Sequence, residues 1–181
     1  MKFAALLFAS LLAAAAAPMQ EKQDTPKPDA PKPEYDIVNF FRISPEICTA
    51  GQPKMADLER MKVAGLKALL NLRTPEEYKH EEEEAKAKEL GLRYFNLPVN
   101  SKALNDDLVA EFLNILADPA NRPLFIHCAT NNRVASFWMI RRVLVDKWKL
   151  EDARAEAEKM GLRPGPMADF ASDYIARHQK K

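Results

Sequence analysis

The chain has 181 residues, with 27 Lys and Arg against 26 Asp and Glu, and a net charge of +1. So balanced a charge gives no strong electrostatic pull toward nucleic acid or an acidic lipid surface. Setting aside roughly the first 35 residues, the remainder suits one domain large enough to bury a full core.

The amino terminus carries Lys2, then the apolar stretch Phe3 to Leu12, then alanines up to Ala17. A short basic region, an apolar stretch and small residues form the pattern of a secretory signal peptide, here residues 1–17. Cleavage after Ala15 or Ala16 is favoured over cleavage after Ala17, because Pro18 follows. The apolar stretch is shorter than the roughly 20 residues that span a bilayer. The expectation is a periplasmic or secreted protein with no stable membrane span after cleavage. Residues 18–35 contain Pro18, Pro26, Pro28, Pro31 and Pro33 among charged and polar residues, which predicts a Pro-rich linker with little to bury. Residues 36–181 then form the folded domain.

From Phe40 onward, short apolar runs alternate with helical patterns. Phe40–Ile43 and Ile47–Thr49 read as strands, and Ala56–Ala64 as a helix closed by Gly65. Leu66–Leu72 reads as a strand. Pro75 is expected to open a helix running to Leu90, closed by Gly91. Its acidic run Glu81 to Glu84, flanked by Lys79, Lys86 and Lys88, reads as a solvated face. Leu92–Val99 is the next strand. Asn105 or Asp106 caps a helix bearing Leu108, Val109, Phe112, Leu113 and Leu116. Pro123–His127 is a strand, Arg133–Trp148 a helix whose Phe137 to Ile140 face the core, and Ala153–Met160 another helix, closed by Gly161. A final helix follows Pro164 and Pro166, from Met167 to His178. Arg141 and Arg142 are expected on the solvent face, and His80 and His178 on the surface. The alternation predicts an α/β fold of three αβα layers around a mostly parallel sheet. Ligands of such sheets sit at the carboxyl ends of the strands. That rim gathers Gln52, Arg73, Asn100, Ser101 and the run from Cys128 to Arg133.

The run His127-Cys128-Ala129-Thr130-Asn131-Asn132-Arg133 is the chemical centre of the sequence. An apolar strand delivers a His-Cys pair into a short polar loop, and an arginine opens the next helix. Backbone amides over a helix start cradle an anion. The helix dipole and a guanidinium favour a thiolate, and the arginine can grip two oxygens of an oxyanion. Cys128 is therefore a nucleophile candidate toward phosphate esters or sulfane sulfur. The loop has no glycine, so Asn131 or Asn132 is expected to supply a positive φ. Ser136, one turn into the helix, could reach the sulfur or bond its own backbone. Arg73 could contact the anion or pair with Glu76 or Glu77. Cys48 and Cys128 could form a disulfide, act as attacking and resolving thiols, or stay unpaired.

This loop resembles that of the protein tyrosine phosphatase superfamily. Three upstream segments resemble its bacterial dual-specificity phosphatase-like branch, which includes the beta-lactamase-hydrolase-like phosphatase domains. They are Ile43-Ser-Pro-Glu-Ile-Cys-Thr-Ala-Gly-Gln-Pro53, Gly65-Leu-Lys-Ala-Leu-Leu-Asn-Leu-Arg73 and Gly91-Leu-Arg-Tyr-Phe-Asn-Leu-Pro-Val99. The resemblance covers roughly residues 40 to 145 and implies a cysteine-phosphatase-like fold. It implies that Cys128 attacks phosphorus and that Arg133 and the amides of Ala129, Thr130, Asn131 and Asn132 hold the phosphoryl oxygens. His127 would orient the loop, with Arg73 and Asn100 near the substrate. No metal or cofactor is implied. The substrate would be a phosphorylated protein or a small phosphoester. The family's usual spacing is Cys-x5-Arg; this loop is Cys-x4-Arg, a spacing shared with rhodanese sulfurtransferases, which act through a persulfide with a sulfane-sulfur donor. The usual general-acid Asp is replaced by Asn100, leaving Asp106 and Asp107 as the nearest acids. A non-catalytic oxyanion- or phosphoprotein-binding module is the remaining alternative.

Overall fold

The computed structural model describes residues 34–179. The expected signal peptide and all but the last two residues of the expected linker lie outside them. Tyr35, placed at the linker's end by its sequence context, is instead buried at 5% exposure and packs on Phe40. The folded unit therefore begins slightly before residue 36.

Five strands form one sheet: β1 (Phe41–Ser44), β2 (Ile47–Ala50), β3 (Ala68–Asn71), β4 (Arg93–Asn96) and β5 (Leu124–His127). Their order is β1-β2-β5-β3-β4. Strand β1 is antiparallel to β2, while β2, β5, β3 and β4 run parallel. The register sets Ala50 and Asn71 on either side of His127, so three strands end level with one another. The central strands β2, β3 and β5 are buried along their whole length, as parallel strands covered on both faces must be.

Among the described residues six α-helices cover the sheet. Side chains alternate across the strands into two cores. Leu69 and Phe125 meet α1 (Met55–Val63) and α2 (Glu81–Glu89) on one face. Ala68, Leu70, Leu124 and Ile126 meet α3 (Asp106–Ala117), α4 (Asn132–Leu144), α5 (Leu150–Met160) and α6 (Pro166–His178) on the other. This is the three-layer αβα arrangement the alternation predicts. Cys48 belongs to the first core and Cys128 to the second, and both thiols are free. Burial pushes the Cys48 thiol up to about 11, as expected of an inert core cysteine. Among the described residues no helix is long and apolar enough to cross a membrane.

Helix α4 is the central helix of its layer. Every residue from Val134 to Ile140 is buried, and it packs on both α5 and α6. A helix apolar all round has to be enclosed. Burying each large side chain here contributes about 1.5–3 kcal/mol. The helix ends at Leu144, four residues short of Trp148, because the chain turns at Lys147 with φ at 62°. Arg141 and Arg142 do not lie free on the solvent face. Both stack on the Trp138 ring, and Arg142 also binds Glu156 through two hydrogen bonds of 2.7 and 2.8 Å. Ser136 is buried and donates to the Met167 carbonyl at 2.7 Å, which ties α4 to α6 and leaves no proton for the Cys128 sulfur.

The helix expected from Pro75 to Leu90 forms only from Glu81. Residues 75–77 make a turn, in which Glu77 and Tyr78 donate their amides to the Thr74 carbonyl. Within α2 one residue of the acidic run is not solvated. Glu83 is fully buried and accepts from Gln52 Nε2 at 2.8 Å, Asn71 Nδ2 at 2.8 Å and Tyr94 Oη at 3.1 Å. His127 Nε2 lies 3.2 Å from the same carboxylate, within ion-pair range, although neither ring nitrogen makes a well-aligned hydrogen bond. Burial raises the Glu83 carboxyl, but His127, Gln52 and Tyr94 outweigh it and hold the group below its ordinary 4.5.

Glu83→Ala strands three buried donors, and chemical denaturation is expected to show a loss of about 3–5 kcal/mol. A carboxyl depressed in the folded state stabilises above its unfolded value and loses that contribution as pH falls through the folded value. The stability gap between wild type and Glu83→Gln is therefore expected to be full above about pH 4.5 and to shrink below it. A gap that widens with acid would contradict this assignment.

Candidate active site

One pocket of about 360 Å³ opens at the carboxyl ends of β3, β4 and β5. Cys128 and Arg133 line it, with Thr130 from the connecting loop, Asn132 at the start of α4, Val99 to Ser101 beyond β4, Met167 of α6, and Thr74, Glu76 and Glu77 from the turn after β3. Cys128 is 1% exposed, so its sulfur sits at the floor.

The loop is held from outside. The Cys128 amide donates to the Ala50 carbonyl at 3.4 Å, and the Ala129 carbonyl accepts from Gln52 N at 3.3 Å. The Thr130 carbonyl accepts from Asn39 Nδ2 at 2.8 Å. Because a trans peptide sets C=O and N–H on opposite sides, drawing the Ala129 carbonyl toward Gln52 turns the Thr130 N–H the other way. Gly51 permits this approach, since a Cβ there would stand 2.7 Å from the Ala129 oxygen. Asn131 takes the left-handed conformation, with φ at 68°. Its side chain does not reach the pocket. It is buried, and its Nδ2 donates to Asn39 O, Thr49 Oγ1 and Met160 O at 2.9–3.0 Å. Asn131 thus anchors the turn to three other parts of the fold. Helix α4 starts at the next residue, so the amides of its first turn have no intrahelical acceptors and its positive dipole end faces the Cys128 loop.

Arg133 reaches across the strand ends. Its Nη1 donates to the Leu72 carbonyl at 3.1 Å and the Val99 carbonyl at 3.0 Å, and makes a very short contact to Glu77 Oε1. Its Nη2 donates to Glu77 Oε2 at 3.0 Å. These bonds use only the Nη atoms, which leaves the Nε edge for an anion. Burial lowers the guanidinium pKa, and the neighbouring Glu77 and Cys128 more than restore it. Glu77 is the mirror case: burial raises its carboxyl, and Arg133 with the Thr74 amide bring it below the ordinary value.

The other expected site residues fall into four groups. Asn100 lines the pocket, with its Oδ1 accepting from Lys102 N at 2.9 Å. Arg73 stands behind the wall: it donates to Gln52 Oε1 at 3.0 Å and the Glu77 carbonyl at 2.8 Å, and stacks on Tyr78. It supports Glu77 through the backbone rather than through its carboxylate. His127 points into the opposite core, toward Glu83. Asp106 and Asp107 are not brought to the pocket. Asp106 begins α3 and is taken by Arg177 through two hydrogen bonds of 2.9 and 3.0 Å, with His178 also in range. Asp107 is exposed in the same first turn. Asn105 is the cap, its side chain accepting from Leu108 N. The carboxylates that do line the pocket are Glu76 and Glu77, which the expected helix from Pro75 had assigned to a regular element. Among the described residues no group of three or more His, Cys, Asp or Glu side chains is placed to hold a metal ion.

Residues 41–164 match the family described as DSP-PTPase phosphatase fused to NAD+ kinase. A beta-lactamase hydrolase-like protein of Agrobacterium fabrum is 26% identical over 140 residues, which is 75% of this chain and 31% of that protein. The chain thus spans about a third of that relative's length. The fold is similar to that of TpbA from P. aeruginosa, with a TM-score of 0.62 and 22% identity over 77% of this chain and 84% of that one. It is also similar to the core catalytic domain of the PP-IP phosphatase SIW14 from S. cerevisiae, with a TM-score of 0.63 and 24% identity over 78% and 90% of the two chains. With the family match covering most of the described residues, the chain belongs to the family described as DSP-PTPase phosphatase fused to NAD+ kinase.

Proposed function

We propose that the chain hydrolyses phosphate monoesters through a thiophosphate intermediate on Cys128, and that it does so after export. The observation that carries the first part is the shared pocket: the Cys128 sulfur at its floor, the Arg133 guanidinium at its edge and the α4 N-terminus between them. Cys128 attacks phosphorus from below, while Arg133 Nε and the loop amides hold the phosphoryl oxygens as charge develops. The leaving oxygen departs with the bond electrons. Water then attacks phosphorus, releases inorganic phosphate and restores the thiol. TpbA has been solved in complex with pTyr, and SIW14 is a PP-IP phosphatase. Those two ligands frame the substrate question for this pocket. Export rests on the signal-peptide pattern of residues 1–17. An amino-terminal sequence of the secreted protein starting near residue 16 or 17 supports it, and an intact Met1 contradicts it.

The acid step distinguishes this site. The pocket's carboxylates both lie below their ordinary values, Glu77 through Arg133 and Glu76 through its own backbone amide and Thr74. Both are ionised at neutral pH, so neither carries a proton to give a leaving oxygen. Departure then depends on the leaving group itself. Aryl phosphates are expected to be hydrolysed at least 100-fold faster than alkyl phosphates at pH 7. Equal rates would show that an acid is present.

Cys128→Ser is expected to abolish aryl phosphate turnover with the melting temperature nearly unchanged, and Arg133→Ala to cost about 100-fold or more in kcat/KM. Turnover retained by Cys128→Ser would overturn the mechanism.

A further inference from the structure

We infer that the pocket selects phosphate monoesters with a positive charge beside the phosphate, specifically phosphotyrosyl peptides flanked by Lys or Arg, and that Glu76 reads that charge. This inference rests on the phosphatase reading above and names its substrate class.

A phosphate dianion entering this pocket meets an unusual balance. The side chains that line it supply one cation, Arg133, and two carboxylates, Glu76 and Glu77. Glu77 is engaged with Arg133, so the single positive charge among the lining side chains is already answered. Glu76 is exposed and makes no salt bridge among the described residues. Lys79 and Lys102 are near in sequence to pocket residues, and the Arg163 amide donates to Asn132 Oδ1 at 3.0 Å, but none of the three is among the residues lining the pocket. What attracts phosphate is therefore the Nε edge of Arg133 and the amides at the start of α4. What faces the rest of the substrate is the exposed Glu76 carboxylate, held only by its own amide and Thr74.

A second phosphate on the substrate would stand against Glu76 with no second cation among the lining side chains to receive it, which disfavours polyphosphorylated ligands. A Lys or Arg next to the phosphate would sit between two anions, the phosphate and Glu76, and gain from both. The pocket is also lined without an aromatic side chain, its apolar wall being Val99 and Met167. No ring clamps the phenol, so charge is what remains to discriminate. Phosphotyrosine fits the absent acid, because a phenol leaves without a proton donor. At about 360 Å³ the cavity has room for more than a phosphate group.

The experiment compares kcat/KM for two phosphotyrosyl peptides of equal length, one with Lys and one with Glu on both sides of the phosphotyrosine. A small aryl phosphate is run alongside. Wild type is expected to prefer the Lys peptide by about tenfold at low salt, falling to a few-fold at high ionic strength. Glu76→Gln is expected to reduce that ratio and Glu76→Lys to reverse it. Because each variant is scored by a ratio of two substrates, general damage to the enzyme cancels. Equal rates on the two peptides, or a ratio unchanged in Glu76→Lys, overturn the inference while hydrolysis of the small aryl phosphate leaves the phosphatase reading standing. If wild type hydrolyses none of the three, the phosphatase reading falls and this inference falls with it.

Discussion

The Arg133 guanidinium is where the sheet and the pocket become one structure. Its Nη1 has two protons and three oxygens around it: the Leu72 carbonyl at the end of β3, the Val99 carbonyl beyond β4, and the Glu77 carboxylate. A cation so placed pulls the ends of two strands and the following turn toward the start of α4. The position of the nucleophile follows, because Cys128 and Arg133 are joined by only four residues. The shorter loop suits this arrangement. The left-handed turn at Asn131 brings the chain round without a glycine, and three acceptors on separate parts of the fold keep it there.

Much of this was legible in the chain. Alternation of apolar runs with helical patterns gave the layers, because a parallel sheet must be covered on both faces. The Cys128–Arg133 run gave the pocket, because a strand, a loop and a helix in that order place amides and a guanidinium around one point. A positive φ at Asn131 or Asn132 was legible from the missing glycine, and it falls at Asn131. Other features were hidden by tertiary context. Glu83 sits in a run of four glutamates that reads as solvated. Its spacing from Ala87 and Leu90, one and two turns on, was the available signal, and three donors from β3, β4 and the Gln52 loop make its burial tolerable. The turn at residues 75–77 was hidden because Pro75 is also a good first residue of a helix. Asp106 and Asp107 are acids close to the right place in sequence, but the C-terminal helix claims Asp106 through Arg177.

Two contacts to a glutamate carboxylate, one beside the pocket and one in the opposite core, do different work. Glu77 and Arg133 form a pair open to the pocket, which an incoming anion meets directly. Glu83 and His127 form a pair sealed in the other core, which fixes the strand that carries Cys128. The first shapes binding and the second shapes the platform. Neither supplies a proton to a leaving oxygen, and that sets this site's dependence on leaving groups that depart unaided.

The measurement that tests the central claim most directly is intact-protein mass spectrometry of wild type quenched in acid during turnover of an aryl phosphate. The account predicts one added phosphoryl group, located on Cys128 by peptide mapping and absent from Cys128→Ser. Turnover without any phosphoryl adduct, or an adduct at another residue, would contradict it. A gain of one sulfur on Cys128 from a persulfide donor, with no phosphoryl adduct under any condition, would point to sulfur transfer instead.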